Sequence, residues 1–290
     1  QVPMMLSVVA GVVISRFATR PNGWVFGACL AMSLSYTVGG LVGYSNAGTI
    51  LCSFWNTTTS DVGVERDSWG ATGLTTAQMK TMSSFVGWDI ANTGGTSAVW
   101  RIYEGNTYPL LRSFLTPLTV TANDDSMTYD NVAYNGGNGV TYSIASPTLS
   151  GSLTYSGTSQ GAINAGNYAI TPGGYYSDQQ GYDIRYAGST LTINKAPLSI
   201  TAKAVKNKKM YDGTTSAAAL PIVTITDGQL FGTDTLVATE TYDNKNVGRR
   251  KTLTANVIVN DDNDGNNYDC IMTIIDNYKG KIKKAKIYIT

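Results

Sequence analysis

The chain has 290 residues, 21 Lys plus Arg against 20 Asp plus Glu, and a net charge of +1; that length holds two or three domains with real cores, and the balance offers no electrostatic case for nucleic acid, which needs clustered positive charge. Histidine is absent, which removes the commonest general base and the commonest transition-metal ligand together. Charged residues make up only 14%, with 31 Gly, 18 Tyr and three glutamates (Glu65, Glu104, Glu240), a composition that suits pleated surfaces and tight turns and predicts a mainly β protein.

The chain opens on Gln1 rather than Met, so a fragment or processed product is expected. Val2–Ile14 is apolar, but about 13 residues without a basic flank make neither a membrane span nor a good signal peptide. Pro21–Ser60 carries no charge yet is broken throughout by Gly, Asn, Ser and Thr, which argues for buried or stacked β-structure. Residues 1–38 receive no assignment. Cys29, Cys52 and Cys270 form no CxxC; a Cys29–Cys52 disulfide and three free thiols both stay open.

Val38–Gly63 spaces small and branched residues as in a strand–turn–strand coil, with Gly39, Gly40, Gly43 and Gly48 at its corners, so residues 38–115 are expected to end a β-solenoid. "TTAQMKTMSSFVGWDI" holds the one helix signal: Thr75 and Gln78 form a capping box, Met79 and Met82 share a face, and Gly87 stops it. Val99–Phe114 reads as a closing hairpin with Asn106 in its turn and Pro109 at an edge.

Beyond Leu115 the sequence repeats. "LTPLTVTA" (115–122) recurs as "NKAPLSITA" (194–202) and again as "KKAKIYIT" (283–290), each with the two-residue period of a half-buried strand. "MTYDN" (127–131) answers "MYDGTT" (210–215), and "GYDIRYAGSTLTINKA" (181–196) answers "NYDCIMTIIDNYKGKIKKA" (267–285). Two small all-β units are expected, at 116–196 and 197–285, with 286–290 starting a further one.

These strings carry a resemblance. "GGLVGYSNAGTI", "SFWNTTTS", "GLTTAQMK", "GWDI", "VWRIYEG" and "YPLLR" together resemble the end of a GLUG-motif region, as found in filamentous-haemagglutinin-like bacterial surface adhesins. "LTVTANDDSMTYDN" with "GYDIRYAGSTLTINKA" resembles an MBG module, and "ITAKAVKNKKMYDGTT", "YDNKNVG" and "NDGNNYD" resemble a YDG module. The resemblance implies β-grasp-like or sandwich-like spacers in a secreted or cell-surface, outer-membrane-associated adhesin. Its partners would be neighbouring repeats and host or community glycans or proteins. Asp130-Asn131 stands where the family's turn usually has Gly, so that turn is expected to differ.

Candidate chemistry is sparse, and no catalytic residue or cofactor is expected. Asp124/Asp125 and Glu65/Asp67 are the nearest to a glycosidase pair; acid and base must face each other across a bond in a cleft, and adjacent residues such as Asp124 and Asp125 face opposite ways on a strand. "GGNGVTY" (136–142) reads as a hairpin turn rather than a phosphate cradle. Tyr175, Tyr176, Tyr182 and Tyr186 could stack on sugar rings, although alternation puts Tyr182, Ile184 and Tyr186 on one face, the core face. "VNDDNDGNNYDC" (259–270) looks like a calcium loop, yet setting Gly265 as its sixth residue puts Asn260 first and Ile271 twelfth, where acidic ligands belong. It reads instead as a turn before Tyr268-Asp269, with calcium on Asp261, Asp262 or Asp264 the minor alternative. Residues 197–290 carry 13 Lys/Arg against 10 Asp/Glu and residues 117–196 carry 2 against 5. Opposite net signs would favour docking of neighbouring modules, but the lysines are better read as guards on exposed strand edges.

Overall fold

The computed structural model describes residues 50–59 and 71–286. Residues 1–49, Cys29 among them, Glu65/Asp67 and the strand expected after Lys286 lie outside the described residues. The protein is mainly β, and the helical residues described form only 3-10 turns. It divides into two compact units, one holding the chain to Thr121 with Val140–Thr154 and Pro172–Ala187, the other Ala122–Gly139, Tyr155–Thr171 and Gly188 onward.

In the first unit β1 (Phe54–Asn56) pairs in parallel with β2 (Thr72–Leu74), and β3 (Ile90–Ala91) with β4 (Trp100–Arg101). The expected hairpin closes the region as β4 against antiparallel β5 (Leu110–Leu111). The expected helix is corrected to two 3-10 turns, Gln78–Lys80 and Met82–Ser84. Its capping box does form, since Thr75 N donates to Gln78 Oε1 at 2.9 Å and Gln78 N to Thr75 Oγ1 at 3.3 Å. Thr81 then lies extended between the turns, where a β-branched residue, with two serines beyond Met82, gains little from continuing the helix. Met79, fully buried, is drawn into an aromatic core of Phe54, Phe85, Trp88 and Trp100, where Trp88 and Trp100 stack at 4.5 Å.

The repeated part begins with β6 (Thr116–Ala122), β7 (Asp125–Thr128), β8 (Val140–Tyr142), β9 (Ser150–Ser156), β10 (Gly166–Tyr176), β11 (Tyr182–Ala187) and β12 (Ser189–Asn194). It continues with β13 (Ala196–Lys203), β14 (Lys208–Met210), β15 (Ile222–Gly228), β16 (Thr235–Tyr242), β17 (Gly248–Asn260), β18 (Tyr268–Ile275) and β19 (Asn277–Lys283). The first seven strands form sheets ordered β11-β6-β8 and β7-β12-β10-β9; the second seven form β18-β13-β15 and β14-β19-β17-β16. The topology is therefore duplicated strand for strand. Even the register repeats: Tyr182 and Asp183 lie opposite Thr116 and Pro117 in the parallel pair β11–β6, as Tyr268 and Asp269 lie opposite Ala196 and Pro197 in β18–β13.

The cause is visible in the strands. In β13 every second residue, Ala196, Leu198, Ile200 and Ala202, is buried, and β17 alternates likewise from Lys251 to Asn260. Within the second unit one core joins the two copies, with Ile170, Leu191 and Ile193 from the first and Leu198, Ile200 and Val259 from the second. Each such side chain contributes roughly 1.5–3 kcal/mol when buried. A second core inside the second copy gathers Ala202, Leu253, Val257 and Ile282 between its sheets. The glycine turn at 136–139 also needs correction: it leads from β7 into β8, which joins β6 in another sheet, so it is not a hairpin turn between paired neighbours.

Candidate functional site

The landmark Tyr-Asp pairs carry the most organised polar chemistry in the described residues. In the first unit Asp183, 5% exposed, starts β11. Its carboxylate takes the Gly95 N–H at 2.9 Å, a close bond and ion pair from Arg112, and an ion pair with Arg101 Nε at 3.3 Å. Beside it Tyr103 Oη donates to the Tyr182 carbonyl at 2.6 Å and accepts from Ile184 N at 3.0 Å. The Arg101 guanidinium sits 4.0 Å from the centre of the Tyr103 ring, a favourable cation–π geometry. Burial lowers the Arg101 pKa, and the negative ends of Tyr103 and Asp183 oppose that. A Cβ on Gly94 would overlap the Ile184 carbonyl, so only glycine lets this loop lie against β11. Gln179 completes the clamp with bonds to both backbone groups of Leu111.

In the second unit the corresponding Tyr268 is covered from the preceding copy. Tyr129 and Tyr268 both donate to Asp234 Oδ2, at 2.8 and 2.6 Å, and Phe231 N donates to Tyr268 Oη at 2.8 Å. The rings of Tyr129 and Tyr268 meet edge to face at 5.4 Å. Burial, reinforced by the Asp234 carboxylate, pushes both phenols well above the ordinary tyrosine range. Asn267, fully buried, accepts from Ala165 N at 2.8 Å and donates to Asn164 Oδ1 at 3.1 Å. The first copy's Tyr129 turn and Asn164-Ala165 loop thus grip the start of β18 in the second.

The turn that supplies Tyr129 is itself repeated. Asp130 Oδ1 accepts from Val132 N at 2.9 Å with Asn131 at φ 62; Asp212 Oδ1 accepts from Thr214 N at 2.9 Å with Gly213 at φ 80. The expected difference at Asn131 is therefore corrected: asparagine tolerates the left-handed conformation glycine would adopt, and the turn is preserved. In the second copy Lys209 Nζ also binds Asp212 Oδ1 at 2.8 Å and the Thr214 and Ser216 carbonyls. Lys209 chiefly, helped by Thr214, holds the Asp212 carboxyl down to about 2. Lys209 and the buried Lys251, which pairs with Asp243 at 2.8 Å, do more than guard edges.

The sequence candidates fall into place around this framework. Tyr175, Tyr176, Tyr182 and Tyr186 are all half-buried against Leu118, Val120 and Ile184. The Tyr186 hydroxyl exchanges hydrogen bonds with the Tyr175 backbone at 2.7 and 2.9 Å, and burial pushes its pKa up to about 12. Asp261 turns its carboxylate inward, accepting from the N–H groups of Asn263, Gly265 and Asn267 at 2.7–3.0 Å. Asp262 and Asp264 are exposed and adopt positive φ. No group of three His, Cys, Asp or Glu among the described residues is placed to share a cation. Asp124 and Asp125 line an open groove of about 330 Å³ with Ser126, Asn138, Thr190 and Thr192. Their carboxylates already accept from Thr190 N at 2.9 Å and from Tyr134 Oη at 2.7 Å. Asp234, Asn267, Arg101 and Arg112 were missed. The arginines left a signal, a charge inside the apolar runs "VWRIY" and "LLRSF"; Asp234, on a polar loop, left none.

Residues 194–274 match the YDG domain family, and that domain covers β13 to β18. A search of curated proteins found no match.

Proposed function

We propose that this chain is a structural portion of a large secreted or cell-surface bacterial adhesin, in which small β modules space and present a binding region elsewhere. In this reading residues 38–115 end a GLUG-type β-solenoid, 116–196 are an MBG-like module, and neighbouring modules are the main partners. The observation that carries it is the duplicated seven-strand topology joined by buried side-chain clamps: the polar groups that alternation does not explain are spent holding one element of the chain to another. No residue is given a catalytic role. The experiment is a glycan array together with calcium calorimetry on the full chain. Silence in both is expected, whereas a specific, saturable response in either would replace the spacer reading with that of a binding module. The groove at Asp124, Asp125 and Thr190 is the observation that favours this second reading, and Asp124→Asn would then abolish the response.

A further inference from the structure

The two copies correspond not only in topology but in one surface, the one that the first copy presents to the second. Tyr129-Asp130-Asn131 corresponds to Tyr211-Asp212-Gly213, with the same turn geometry. Asn164-Ala165, just before β10, corresponds to Asn246-Val247, just before β17, because Gly166 and Gly248 lie opposite the equivalent Ile193 and Ile282. In the first copy this surface is covered: Tyr129 is 1% exposed, and Asn164 and Ala165 are bonded to Asn267. In the second copy it is bare, with Tyr211 at 41%, Met210 and Val247 each at 45%, and Asn246 exposed.

Side chains of this kind are seldom left together in water when a sister surface in the same molecule is buried. We propose that this end of the YDG domain is a docking face for a further module of the same fold. That occupant rests on the spacer reading, and the joint already formed sets its chemistry. The incoming module would bring an aspartate equivalent to Asp234 to accept from the Tyr211 hydroxyl, and an aromatic pair equivalent to Phe231 and Tyr268 to pack on the Tyr211 ring. An asparagine equivalent to Asn267 would accept from the Val247 N–H and donate to Asn246 Oδ1. Self-similarity fixes the choice of partner, since the face has the turn, hydroxyl and amide that hold β18 in the first joint.

The test extends the full chain. Lys284-Ala285 corresponds to Lys195-Ala196, so residues 202–286 appended after Thr290 continue the repeat in register; the appended equivalent of Tyr211 is made phenylalanine, so that the Tyr211 peptide keeps a mass of its own. Nitration by tetranitromethane is then read tyrosine by tyrosine from peptide masses. In the parent chain Tyr211 is expected to react and Tyr129 to be protected; in the extended chain Tyr211 is expected to react about tenfold more slowly, as a buried side chain would. Replacing the appended aspartate equivalent to Asp234 by alanine should restore part of the reactivity. An unchanged Tyr211 rate beside a protease-resistant appended module would overturn the proposal. So would an appended module that stays protease-sensitive, because the same sequence folds where it follows Tyr129. A calcium or glycan response of the parent chain would remove the spacer reading while leaving the nitration result to stand alone.

Discussion

Asp183 and Asp269 hold the same register position in two copies of one fold, and their surroundings give them opposite weights. Asp183 is buried between Arg101 and Arg112, so Asp183→Ala leaves two guanidinium groups without their counter-ion and is expected to destabilise the first unit by about 3–5 kcal/mol. Asp269 is exposed, and Asp269→Ala should change stability by less than about 0.5 kcal/mol; urea unfolding of the two variants checks the contrast. Asp212 gives a pH signature. Its folded pKa of about 2 lies below the ordinary carboxylate value of about 4. Its contribution is therefore complete above that ordinary value and is lost as pH falls toward 2. An NMR titration should find the low midpoint, and Lys209→Ala should move it back toward the ordinary value. At this scale the sequence was partly readable. Tyr182 and Tyr268 stand out because aromatic residues before Asp are conspicuous, and alternation puts Tyr182 and Tyr186 on the core face; it says nothing for the adjacent Tyr175 and Tyr176. Asp234 was not readable, because its role depends on two hydroxyls brought from residues 129 and 268.

Alternation made the strands legible, since one buried face imposes a period of two whatever the partner. The 3-10 turns at 78–84 were misread because a correct cap says where a helix starts and nothing about whether burial of Met79 will let it continue. Turns were harder than strands, and the joint between Asn131 and Gly232 shows why. Gly232 has φ +55, and a Cβ there would overlap the Asn131 side chain, a constraint with no trace in either local sequence. Gly232→Ala is expected to cost about 2–3 kcal/mol, combining left-handed strain with the clash. Adding Asn131→Gly should relieve the steric share and leave about 1 kcal/mol. A double-mutant cycle by thermal unfolding that shows simple additivity would refute the coupling.

At the scale of the whole molecule, sequence repeats and compact units do not coincide, for the second unit takes strands from both copies. Sequence comparison sees the period; it cannot see that Ile170 and Leu191 share a core with Leu198 and Ile200. Excising residues 194–286 should therefore strip the cover from Tyr268 and Leu198 and lower the melting temperature by roughly 10 °C or more relative to the full chain, with a rise in dye binding to exposed apolar surface. The parallel pair β13–β18 has a further consequence, in time rather than in space. Its first strand gains an antiparallel partner in β15 earlier, but the parallel one only after the chain has run from Ala196 to Tyr268, a long loop to close before that pairing rewards it. Tyr129 in turn waits for Asp234 and Tyr268. As the polypeptide emerges from its amino end, each module would stay open until nearly all of it has appeared, and its Tyr-Asp turn would become set only when the following module closes. Maturation would then advance along the chain one module late, with the newest module always the least settled.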